Sequence, residues 1–120
     1  LNKEYPNKLK ENIINKNLAV MKDKKCASFF EKLEKAIKRK DIISVNHRIT
    51  AILSSYFDIL FALNKELHPG EKKLIKYAHK LCKSLPENFD NDIENIINSK
   101  LNKNILDNVD KLIENIKKII

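Results

Sequence analysis

From Asp41 to Asn64 the chain runs twenty-four residues without a lysine, although lysine supplies 22 of its 120 residues. Over most of the remaining chain, the sixteen residues between Lys83 and Lys100 apart, lysine returns every few positions, the habit of a solvated surface. A segment that suspends that habit is covered on more than one side, and the rest of the chain has to fold around it. Ile42, Val45, Ile49, Ile52, Tyr56, Ile59 and Leu63 recur three and four residues apart, the seam of a packed helix. Leu53, Phe57 and Leu60 widen that seam into a broad apolar arc. At about 100° per residue, the opposite side carries His47, Thr50, Ala51, Ser54, Asp58 and Ala62, small or weakly polar groups. Two readings stand: the helix is buried within its own bundle, or this face meets a partner or lines a cleft.

One glycine and three prolines leave little material for hairpins, and no segment alternates apolar and polar residues as a strand does. The expected fold is all-α, a compact antiparallel bundle of five to six helices forming a single domain over 1–120. Pro6 suits a first helical position, with Leu9, Ile13, Ile14, Leu18 and Met21 following at mostly helical spacing. Cys26, Phe29, Phe30, Leu33 and Ile37 share the face of a second helix ending near Arg39 and Lys40. Asp41 is the expected N-cap of the third. A fourth follows Pro69, turning Leu74, Ile75, Ala78, Leu81 and Cys82 inward. Ser84 and Glu87 have capping-box spacing and open a fifth, with Phe89, Ile93, Ile96 and Ile97. Asn104 and Asp107 start a sixth, whose apolar face is Ile105, Val109, Leu112, Ile113 and Ile116.

The formal charge of +8 invites a nucleic-acid reading, but only Arg39 and Arg48 are arginines, and arginine is the better bidentate reader of phosphates and bases. The lysines are spread along the chain and mixed with 16 carboxylates, so most of the charge reads as solvated surface. No apolar run approaches the length of a membrane span. Cys26 and Cys82 have no CxxC partner and read as small buried thiols of a cytoplasmic protein. The first residues, Leu1 to Pro6, lack an initiator methionine and a signal-like core. The chain is therefore expected to be a piece of a longer protein.

The residues with chemistry are few. His68-Pro69-Gly70-Glu71-Lys72-Lys73 places proline at an expected helix start, with the amides of Gly70, Glu71 and Lys72 facing outward beside two lysines. Such a terminus binds an anion or phosphate, unless Glu71 folds back to cap it. His79 and Cys82 have the i, i+3 spacing of two metal ligands, but no second pair lies nearby. Asp90 and Asp92 look like the paired carboxylates of nucleotidyl transfer, without the strand and Gly-Ser turn that accompany them. His47, Asp58 and His68 make no self-contained acid–base set.

The run from Tyr56 to Lys73, with Phe-Asp-x-Leu-Phe-Ala-Leu-Asn-Lys and then His-Pro-Gly-Glu-Lys-Lys, resembles the helical C-terminal region of nucleotidyltransferase-like proteins, the domain of unknown function 4037. Arg48-Ile49 upstream and Leu85-Pro86-Glu87 downstream agree with the pattern, and a looser likeness extends from Tyr5 to the end. The chain departs from such proteins in lacking their catalytic α/β half, with its Gly-Ser and paired-Asp motifs. The resemblance therefore implies an accessory, substrate-side domain, the C-terminal part of a longer protein, that is not catalytic alone. Its partner would be an N-terminal nucleotidyltransferase domain that uses Mg²⁺ and a nucleoside triphosphate. It places Arg48, Asp58, Asn64, His68, Lys72 and Lys73 near the substrate cleft. The alternative is a stand-alone helical module that binds RNA or a protein partner.

Overall fold

The computed structural model describes residues 5–22, 28–99 and 102–120. They form six helices: α1 (Asn7–Met21), α2 (Phe29–Lys38), α3 (Ile42–Leu63), α4 (Leu74–Leu81), α5 (Phe89–Asn98) and α6 (Ile105–Lys117). No strand occurs among the described residues, and none of these helices is long and apolar enough to cross a membrane. The molecule is the expected all-α bundle, measuring 47 × 30 × 24 Å.

α3 is the axle. α1 and α2 pack along it, α4 and α6 touch it, and α5 lies against α6. Its second half is enclosed on nearly every side: Ser55, Tyr56, Phe57, Ile59, Leu60, Phe61 and Ala62 are all buried, and Asp58 alone in that stretch reaches solvent. The missing lysines are explained here, since a long cation has no water to reach. The first half is different. Ile42 and Ile43 are 59% and 81% exposed, so the seam begins in practice at Val45. His47, Thr50 and Ser54 are exposed as well. The small-residue side is thus open to solvent from His47 as far as Asp58 and closed only at Ala62.

A row of rings runs beside α3, its phenylalanines in the core and its two histidines at the surface. His68 lies 5.3 Å from Phe61, Phe61 6.4 Å from Phe57, Phe57 6.2 Å from Phe89, and Phe89 5.4 Å from His79, between ring centroids. Tyr56 stacks on Phe89 at 6.3 Å. Offset and edge-on pairs of this kind add to simple burial.

The expected stop of α2 near Arg39 and the Asp41 cap of α3 are in place, and Ser28 supplies a cap that the spacing did not indicate. Ser28 caps α2 by accepting from the Glu31 amide at 3.2 Å. Asp41 caps α3 by accepting from the Ser44 amide at 3.2 Å and from the Ser44 hydroxyl at 2.8 Å. Those two bonds, with Arg39 beside them, hold the Asp41 carboxyl below the usual range. The buried residues of α6 are Ile105, Val109, Leu112, Ile113 and Ile116, the full expected face. Cys26 lies outside the described residues.

Two starts are corrected. α4 begins at Leu74, not after Pro69, because Gly70 has φ +99° and Lys73 φ +56°, conformations that no right-handed helix contains. α5 begins at Phe89 after Asn88, and Ser84 makes no capping box, because its backbone is bonded to Asn64 instead. Three residues placed inward by spacing stand at the surface: Leu9, Ile75 and Ile97 are 43%, 41% and 49% exposed.

Candidate functional site around the α3–α4 connector

The connector 64–73 turns the chain from the buried end of α3 to the surface helix α4. Asn64 fixes its start. The side-chain amide donates to the Leu60 and Ser84 carbonyls, both at 2.9 Å, and its oxygen accepts from the Ser84 amide at 2.8 Å. One residue thereby ties the end of α3 to the segment beyond α4. With both its polar atoms so engaged, Asn64 is a fastening.

His68 fixes the middle. The Gly70 amide donates to His68 Nδ1 at 3.0 Å, so in the neutral ring the proton sits on Nε2. Nε2 faces Asp58 Oδ1 at 3.8 Å, and the ring stands edge-on to Phe61. Nδ1 is thus engaged while Nε2, beyond hydrogen-bond distance of Asp58 on an exposed side chain, is not, and the ring packs the connector against α3 through Phe61. The Gly70 amide expected to face an anion is spent on this ring. The amides left free at the start of α4 belong to its first residues, with Lys72 and Lys73 just before them; no side chain caps that end, Glu71 included.

His68 also forms a wall shared by two clefts. The smaller, about 350 Å³, lies between α1 and the end of α3, with Leu9, Lys16, Asp58, Phe61 and Glu66 around it. Tyr5 closes one side, and burial pushes its phenol up. The larger, about 680 Å³, lies between α3, α4 and α5. Leu53, Phe57 and Ile93 give it an apolar interior, and Ile75, Ile97, Glu71, Lys73 and Lys76 stand at its edge. Apolar concavities of this size with a few polar groups at one end are the usual form of binding sites.

Of the residues the resemblance pointed to, Asp58, His68 and Lys73 border these clefts. Lys72 is exposed at the same end. Arg48 is half-buried on α3, ten residues before Asp58 and so about 15 Å away along the axis; it does not join them. His79 pairs with Asp90, Nε2 lying 2.9 Å from both carboxylate oxygens, and so holds α4 to α5. Asp92 is buried and accepts from Asn115 at 2.7 Å. The Asp90 and Asp92 carboxylates are thus committed to different partners, and among the described residues no group of three His, Cys, Asp or Glu side chains is arranged to hold a metal. The lip residues Ile75 and Ile97 were missed in the sequence because their spacing matches that of the buried positions beside them.

A scan against protein-family models, a search of curated proteins and a search of solved structures each return no match.

Proposed function

We propose that this chain is the substrate-side helical domain of a nucleotidyltransferase-like protein, binding part of the substrate and leaving catalysis to a separate domain. The observation that supports it is the convergence of Asp58, His68 and Lys73 on one end of α3, between two clefts, beside the uncapped start of α4. A helix start next to two lysines suits a negatively charged substrate group. Mg²⁺ would serve the other domain, since Asp90 and Asp92 are held by His79 and Asn115 here.

The genomic sequence immediately upstream is the first test: a Gly-Ser and Asp-x-Asp domain is expected in frame or in the neighbouring gene. In the protein that joins both halves, Lys72→Ala with Lys73→Ala should weaken nucleoside triphosphate binding about tenfold at an almost unchanged melting temperature. Binding as tight as before, or unfolding, would end the assignment. The runner-up, a stand-alone module for RNA or protein, is favoured by the basic run on α4. RNA affinity would then fall steeply with salt, and no RNA binding at low salt would remove that arm.

A further inference from the structure

The larger cleft has a floor and two lips of unlike chemistry. Phe57 and Ile93 are buried at its floor, while Ile75 on α4 and Ile97 on α5 are 41% and 49% exposed on opposite lips. Thr50 and Ser54 complete the α3 side, small and uncharged. Such a trough is open along its length, where a cavity for a small apolar molecule would bury its own lips.

The α4 lip is strongly basic. From Glu71 to Lys83 there are five lysines and one carboxylate, and Lys73, Lys76 and Lys80 follow at three- and four-residue spacing along one side. Among the described residues none of the five lysines has a carboxylate partner within salt-bridge distance. On the α5 side Asp90 and Asp92 are already taken by His79 and Asn115. The cleft therefore sets an apolar trough beside a row of uncompensated cations. An amphipathic helix laid in a groove presents apolar residues at i, i+4 and i+7 and charged residues along its edge, which is the complement of this surface. A second copy of the chain would bring the same lysines against these, and nucleic acid has no use for the apolar floor.

We propose that the cleft between α3, α4 and α5 docks an acidic amphipathic helix of a partner protein, its apolar stripe between Ile75 and Ile97 and its carboxylates along Lys73, Lys76 and Lys80. The inference goes beyond the substrate-side reading and needs no catalytic domain.

The probe is a fluorescein-labelled peptide of about 16 residues, leucine at i, i+4, i+7 and i+11 and mainly glutamate between, read by anisotropy and by amide chemical shifts on the whole chain. The acidic peptide should bind at least about tenfold more tightly than its lysine-for-glutamate counterpart. Ile75→Asp with Ile97→Asp, and separately Lys76→Glu with Lys80→Glu, should each weaken it by about the same factor while the helical circular dichroism is unchanged. Shifts should centre on the cleft. The charge-reversal pair leaves Lys72 and Lys73 intact, so its result is independent of the nucleotide test. Absence of binding, equal binding by either double variant, or equal binding of the lysine peptide overturns the proposal. So does a dimer in sedimentation that Ile97→Asp dissolves, or an RNA oligomer that displaces the peptide from the same amides.

Discussion

Two helices of this protein end on a lysine bent into the left-handed region, Lys40 after α2 at φ +57° and Lys65 after α3 at φ +55°. Both carry the hydrogen bond of a Schellman turn, from the Asp41 amide to the Ala36 carbonyl and from the Glu66 amide to the Phe61 carbonyl. Glycine is the usual residue there, because a Cβ crowds the neighbouring carbonyl. The only glycine of the chain is spent at Gly70, which needs it for φ and not for room, since an added Cβ would meet nothing within 4 Å. Lys40→Gly and Lys65→Gly should therefore each stabilise the fold by about 0.5–1 kcal/mol, read as a higher urea midpoint at constant slope. A lower midpoint would show that the lysine stems pack on the helix ends. Nothing in the sequence marks these two lysines among the other twenty, because the requirement is one of backbone torsion and not of polarity.

Among the elements α4 is the one least able to stand by itself. Its eight residues are too few for an isolated helix to persist in water. Ala78 and Cys82 seat it, His79 and Asp90 hold it to α5, and Asn64 closes the chain around it at Ser84. Removing that closure should loosen α4 before anything else. Asn64→Ala is expected to speed hydrogen exchange of the α4 amides by about tenfold or more, with the slow amides in the second half of α3 unchanged. Equal acceleration in both helices would mean that Asn64 supports the whole bundle. The contrast between α3 and α4 also shows what was legible in the sequence. α3 is long and its missing lysines speak for burial, which holds for the second half and not for the exposed first turns, and α6 repeats its apolar positions faithfully. The starts of α4 and α5 were misread because Pro69 and Ser84 are strong local signals overruled by other contacts, His68 onto Gly70 and Asn64 onto Ser84. The Asn64 bonds span twenty residues and leave no mark in a local window, whereas the His68 bond is local and rests on the left-handed turn at Gly70. The same holds for the site: Asp58, His68 and Lys73 were named from the sequence, whereas the Ile75 and Ile97 lips exist only through the way α4 and α5 are set against α3.

At the scale of the molecule the core contains two groups that must keep their protons. The Tyr56 hydroxyl is buried without a hydrogen-bond partner, and burial, with Asp92 and Asp90 nearby, pushes its ionisation up. The Cys82 thiol is pushed up to about 11, first by burial and then by Glu66. In the unfolded chain these groups ionise near about 10 and 8.5, so the folded state holds the protons more firmly. The stability that follows is complete below about pH 8.5 and is lost as pH rises from there towards the folded values. The melting temperature should fall in that range, and more steeply than for Tyr56→Phe with Cys82→Ala. An identical slope in the double variant would place the alkaline loss elsewhere, in the surface lysines.

The row of rings from His68 to His79 has a magnetic consequence. Each terminal histidine stands edge-on to a phenylalanine, so its carbon-bound protons lie in a ring-current field. His47, exposed on α3 and outside the row, provides the unshifted comparison within the same chain. With no tryptophan in the sequence, Tyr56 stacked on Phe89 also contributes to the signal sensed in the near ultraviolet. The fold has thus set a natural label at the end of the row where its two clefts meet, and a second at the clasp that keeps α4 on α5.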